Sequence, residues 1–192
     1  VKCALKVYYI AMEQSSTEKK GSGSPPPVVS EAAAKALGRA SIPHEASEGG
    51  IILTEMEERV MHSASLGGTL ESVSAELSEG ENTLSEKDVE DARNSIIEKF
   101  GVKNMAAVIS LAILQGRIKI DVEERAPYLS QEEKVVLSLI AQGQTNATVA
   151  GMIGKSRQGL MNNNKVLFKK IGATGRTHSV RRAYELGIFK VS

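Results

Sequence analysis

The feature that most constrains this chain is that it repeats itself. Leu53, Thr54, Glu57, Val60, Gly67 and Val73 recur as Leu129, Ser130, Glu133, Val136, Gly143 and Val149, each 76 positions later. Farther on the offset falls to 71: Ser85, Lys99, Gly101, Ala112 and Gly116 recur as Ser156, Lys170, Gly172, Ala183 and Gly187. The five-residue difference places an insertion in the first copy near residues 79–83. A similarity that survives an insertion and keeps its glycines marks one folding unit used twice. The 192 residues then divide into an N-terminal arm (1–50) and two small domains, 51–124 and 125–192.

Each copy reads as four short helices. Thr54-x-x-Glu57 and Ser130-x-x-Glu133 are capping boxes, opening helices over 55–65 and 131–141 that end near Gly67 and Gly143. A second helix follows Thr69 or Thr145, and a third follows Ser85 or Ser156 and stops before Gly101 or Gly172. The fourth occupies roughly 104–114 or 177–186. Leu160, Leu167, Phe168 and Ile171 form one apolar stripe on the third helix, as do Val89, Ile96, Ile97 and Phe100 in the first copy. Val136, Leu139, Ile140, Val149, Ile153, Val180, Ala183 and Leu186 complete the second core. The predicted fold class is all-α: two tandem four-helix helix-turn-helix domains behind a largely flexible arm.

The arm is unlike the rest. Residues 14–30 are rich in Ser, Gly and Pro and read as a linker. Residues 1–12 suit a strand in need of a partner, and the Ala-rich run 31–37 a short helix behind Ser30. No apolar run reaches the ~18 residues of a membrane-spanning helix. The run at 5–12 contains Lys6 and leads to Glu13, so it is not read as a signal peptide. One cysteine, Cys3, leaves no intramolecular disulfide framework, and His44, His62 and His178 make no ligand-spaced pair. No nucleophile elbow or phosphate loop stands in a fitting context. The expectation is a cytoplasmic, nucleoid-associated protein with no catalytic residues, no metal and no cofactor.

Charge separates the two copies. Residues 51–124 carry seven basic and fifteen acidic residues, and 125–192 carry eleven basic and three acidic ones. A net charge of +8 on 68 residues is the footprint of a polyanion binder, whereas −8 on the neighbouring segment is its opposite. The outward face of 157–170 carries Arg157, Gln158, Met161, Asn162, Lys165 and Lys169. Lys155 and Arg157 flank the helix N-terminus, where backbone N–H groups favour phosphate. An Asn amide pairs bidentately with adenine, which gives the run Asn162-Asn163-Asn164 a purpose that helix propensity does not.

The capping box at Ser130, Ile140-Ala141-x-Gly143-x-x-Asn146, the Lys170-Ile171-Gly172 stop and Arg176-Thr177 before the fourth helix together resemble the LuxR-type DNA-binding domain, which aligns over 129–189 without a gap. Residues 53–118 resemble it in degenerate form. The resemblance implies a bacterial transcription regulator that reads duplex DNA through a four-helix helix-turn-helix domain, often dimerising through the fourth helix. It places base-reading positions on Met161, Asn162 and Lys165. Backbone-binding positions fall on Thr145, Asn146, Lys155, Arg157, Gln158, Lys169 and Arg176. Met161 and Asn163 stand where the family usually has a basic residue and a His two positions on, which implies weaker nonspecific attraction and an altered base preference. Arg181 and Arg182 replace small or apolar residues of the fourth helix, either contacting phosphate or altering the dimer face.

In the first copy Glu90, Asp91 and Asn94 align with Met161, Asn162 and Lys165. DNA carries about one negative charge per ~1.7 Å of its axis, so carboxylates at the groove floor are repelled. This copy is expected to supply a protein surface instead (a dimer face, a site for another regulator or RNA polymerase, or an acidic cover for the basic copy), the alternative being a second, weak DNA-binding module. Two alternatives remain for the whole chain, an antagonist that binds another regulator and a sigma-factor-like protein. The second is weakened because 51–124 is acidic with one aromatic residue, Phe100.

Overall fold

A computed structural model of the chain describes residues 50–78, 83–122 and 126–190. The expectations for the arm fall on 1–49, outside the described residues, as does most of the insertion at 79–83. Among the described residues every regular element is a helix: α1 (Glu55–Ser65), α2 (Leu70–Leu77), α3 (Glu86–Lys99), α4 (Met105–Leu114), α5 (Gln131–Ala141), α6 (Asn146–Met152), α7 (Arg157–Lys170) and α8 (Arg176–Glu185). The all-α reading is correct.

Local chemistry sets the boundaries. Thr54 N–H donates to Glu57 Oε2 at 2.6 Å while Glu57 N–H donates to Thr54 Oγ1 at 3.2 Å. Ser130 and Glu133 make the same reciprocal pair at 2.7 and 3.2 Å. Each glutamate also reaches across its helical set: Lys99 Nζ lies 2.7 Å from Glu57, and Lys170 Nζ 3.0 Å from Glu133. The same residue caps the first helix and clamps the end of the third in both sets. Burial would raise the Glu57 carboxyl. The Lys99 ammonium, the Thr54 N–H and the Ser95 hydroxyl outweigh it and hold the group at about 2.

The apolar stripes bury as their spacing predicts, Phe168, Ile97 and Ile153 being half-buried and the others buried. One expectation is corrected by the packing. Instead of a separate core for each set, the buried residues form one continuous cluster. Its bridge is α4, whose sequence MAAVISLAIL is apolar all round and packs most extensively against α8. A helix apolar on every side must be covered on every side. Tyr184 of α8 is 0% exposed, meets Phe189 edge-on with ring centroids 5.2 Å apart, and its hydroxyl bonds Ser110 of α4 at 3.1 Å.

The seam is closed on both sides by turns. Gly67, after α1, has φ +95°, and a Cβ there would stand 2.1 Å from Thr174 Oγ1 and 2.9 Å from His178 Nδ1, at the start of α8. Gly143, after α5, has φ +76°, and a Cβ there would meet Ala107 Cβ of α4 at 3.0 Å. Both the backbone conformation and the close approach require glycine. Gly67→Ala should therefore destabilise the protein by about 2 kcal/mol or more, read as a lowered denaturation midpoint with an unchanged denaturant slope. A second outcome concerns acid. Glu57 has a lower pKa folded (about 2) than unfolded (4.5), so its stabilisation is complete above pH 4.5 and is lost as pH falls from there toward 2. Thermal melts of Glu57→Gln should be lower at neutral pH and lack that part of the acid-induced decline.

Candidate nucleic-acid interface

Two helices meeting at a tight turn build the site. α6 starts at Thr145, whose Oγ1 accepts from Thr148 N–H at 3.2 Å. It stops at Ile153, and the chain turns through Gly154 at φ +68°. Ser156 then caps α7, its Oγ accepting from Gly159 N–H at 3.0 Å. α6 packs closely on α7, and Leu160, Leu167 and Ile171 anchor the inner side of α7. The opposite side faces outward.

Met161, Asn162 and Lys165 are all exposed, as are Thr145, Arg157, Gln158 and Lys169. Nothing among the described residues covers them, so the acidic first set is not a lid on this face. Gln158 Nε2 donates to Asn162 Oδ1 at 3.2 Å, which lines two amides along one face of the helix. Arg157, Lys165 and Lys169 make no ion pair or hydrogen bond among the described residues, and α7 contains no acidic residue. The face is an uncompensated cationic strip with amides at its centre. Met161 sits at its shoulder, 37% exposed.

Three of the expected backbone contacts are already engaged. Arg176 Nη1 donates to Asn146 Oδ1 at 2.7 Å, and its other terminal nitrogen to the Gln144 carbonyl. Burial lowers the pKa of this guanidinium. Arg176 and Asn146 thus hold the start of α8 to the start of α6. Lys155 pairs with Glu132. About a third of each of those two side chains is exposed, so the pair is worth ~0–1 kcal/mol and yields readily to a phosphate.

The fourth-helix arginines do not reach toward this face. Arg181 Nε lies 2.6 Å from Glu185 and its Nη1 bonds Ser65 Oγ of α1 at 3.0 Å. Arg182 pairs with Glu185 at 2.7 Å and donates to the Ile171 carbonyl at 3.0 Å. Burial raises the Glu185 carboxyl, but the two guanidinium groups outweigh it and its pKa is lowered. Both arginines therefore tie α8 to its surroundings.

The asparagine run divides. Asn162 and Asn163 face solvent, whereas Asn164 is 6% exposed and its Oδ1 has no hydrogen-bond partner. Sequence reasoning missed Val166, which is 67% exposed and borders the groove between α5 and α7 beside Glu133 and Lys170. The available signal was a β-branched apolar residue falling off the apolar stripe. In the first set, Glu90, Asp91 and Asn94 are likewise exposed on α3.

Among the described residues no cluster of His, Cys, Asp and Glu is placed to hold a metal ion, and no helix is long and apolar enough to cross a membrane. Residues 127–183 match the family of bacterial regulatory proteins described as the luxR family. The match takes in α5, α6, α7 and most of α8, so a LuxR-family helix-turn-helix domain occupies this segment. No curated protein matches the chain. No solved structure matches it either.

An unpaired buried carbonyl costs ~1–3 kcal/mol, and a side chain of similar shape without it avoids that cost. Asn164→Val should raise the melting temperature by a few degrees, measured by calorimetry, with no change in the outward face of α7.

Proposed function

We propose that this chain is a sequence-specific DNA-binding transcription regulator that lays α7 in the major groove. The observation that carries this reading is the outward side of α7: exposed, free of acids, uncovered, and held by a helix-turn-helix segment that matches a family of regulatory proteins. In such a docking the first helix of the pair crosses the backbone while the second reads base edges.

The residues divide by chemistry. Asn162 offers its amide to adenine, Lys165 an ammonium to guanine N7 and O6, and Gln158, hydrogen-bonded to Asn162, approaches the backbone. Met161 presents apolar surface to thymine methyl groups. Arg157 and Lys169 neutralise phosphates, Lys155 joins them by exchanging Glu132, and Thr145 approaches the backbone at the start of α6. Asn146 and Arg176 are positioning residues, aligning α6 with α8. No residue of this face is catalytic, and the reading needs no metal or cofactor. Helices α1–α4 form a second, acidic helix-turn-helix unit that does not bind DNA. Its exposed α3 face is suited to a protein partner such as another regulator or RNA polymerase. The protein works in the cytoplasm, on the nucleoid.

A salt titration with duplex DNA tests this. The logarithm of affinity should fall linearly with the logarithm of salt, with a slope of about −0.9 per phosphate contacted. Asn162→Ala should relax preference at one base position by ~1–3 kcal/mol, whereas Lys155→Ala should weaken all sequences about equally and reduce the slope by about 1. A chain that antagonises another regulator through its acidic half alone would retain no duplex at low salt. Failure of both substitutions to alter binding would remove α7 from the groove.

A further inference from the structure

The contacts across the seam are reciprocal in a way that a chance packing is not. The turn after α1 rests on the start of α8, through Gly67 against Thr174 and His178. The turn after α5 rests on the start of α4, through Gly143 against Asn104 and Ala107, with Asn104 Nδ2 donating to the Gly143 carbonyl at 2.8 Å. Gly67 and Gly143 are repeat equivalents at an offset of 76, and Ala107 and His178 at an offset of 71. Residue i of one set thus touches residue j of the other, and j touches i. That is the signature of an isologous two-fold interface, here closed inside one chain.

Its centre is the α4–α8 pair. Val108, Ile109 and Ala112 face Val180, Ala183 and Tyr184 across one continuous core, and all six are 0% exposed. A second copy of the chain has no access to that surface of α8 without pulling the core apart. The dyad also relates α7 to α3, residue for residue. α7 carries four basic residues and no acid; α3 carries five acids (Glu86, Asp88, Glu90, Asp91 and Glu98) against Lys87, Arg93 and Lys99.

We propose that the chain is an internal pseudo-dimer with one working reading head: it binds a single asymmetric half-site as one chain per duplex, with α3 standing silenced in the position of the second reader. This deepens the DNA-binding reading and rests on it. A symmetric dimer mirrors its two-fold axis in a palindromic operator with half-sites one helical turn apart, ~34–36 Å. One cationic helix and one acidic helix about the same axis have no such mirror.

The test uses the full chain. Duplexes selected from a random pool should yield a motif without dyad symmetry, protected over about one helical turn, ~10 base pairs. Sedimentation should show a monomer free in solution and one chain per duplex. An inverted repeat bound by two chains, or a free chain that sediments as a dimer, would overturn the proposal. A pool that retains no duplex would overturn the DNA-binding reading, and the free chain's mass would still decide whether the seam is filled internally. A second variant asks for a gain. Glu90→Met, Asp91→Asn and Asn94→Lys together place the α7 residues at their equivalents on α3, all at exposed positions. This triple variant should bind a duplex carrying an added inverted half-site about tenfold or more tighter than the single site, with protection extended to two turns. Equal binding to the two duplexes would show that α3 does not occupy the second reading position.

Discussion

Burial of α4 against α8 is the interaction on which the rest depends. Neither helix can leave its apolar residues in water: α4 has no polar side beyond Ser110, and Val180, Ala183 and Tyr184 of α8 are sealed beneath it. About 60 residues in a four-helix set is a small core, because small units bury a lower fraction of their surface. Joining the two cores removes the apolar face that each set would otherwise expose. The polar contacts at the seam, Ser110 to Tyr184 and Asn104 to the Gly143 carbonyl, add direction to a contact whose driving force is non-directional. They fix how the two sets face each other, and hence where α3 and α7 point.

Electrostatics then separates two surfaces that the backbone makes alike. α3 and α7 are each 14 residues long and begin at a serine cap. Their buried sides are interchangeable in character, Val89 and Ile96 in one and Leu160 and Leu167 in the other. The acids of α3 are all exposed, and among them Asp88 caps the helix through Ser85. Toward a duplex with one charge per ~1.7 Å, the exchange of sign makes one face attractive and the other repulsive before any base edge is met.

Much of this was legible in the sequence because it is local. Capping boxes, glycine stops and apolar periodicity act within a few residues, and the helices begin and end close to where those signals put them. The outward placement of Met161, Asn162 and Lys165 follows from the same periodicity, since an apolar stripe leaves a defined opposite side. What the sequence hid is long-range. The uniform apolarity of α4 says that it is covered but not by what, so the merging of two cores was invisible. The engagement of Arg176 with Asn146 and of Lys155 with Glu132 joins residues 30 and 23 positions apart, and composition cannot distinguish a spent cation from a free one. Asn164 was hidden for a different reason: a polar residue on the buried side breaks the pattern from which the side is read.

The acids of α3 are confined to its exposed side, and the reason is thermodynamic. Charge on α3 is set at exposed positions, where substitutions typically change stability by less than ~0.5 kcal/mol. Losing the set itself would strip α8 of its cover and expose Tyr184, Ala183 and Val180 together. The glutamate that caps α1 illustrates the constraint, since Glu57 binds Thr54, Ser95 and Lys99 at once, and its equivalent Glu133 keeps the same cap and the same lysine clamp. α3 can therefore carry acids on its exposed side while its buried side goes on supporting the neighbouring helices. The same logic explains why α7 tolerates Met161 on its outward side, which is not tied to the core as the opposite side is.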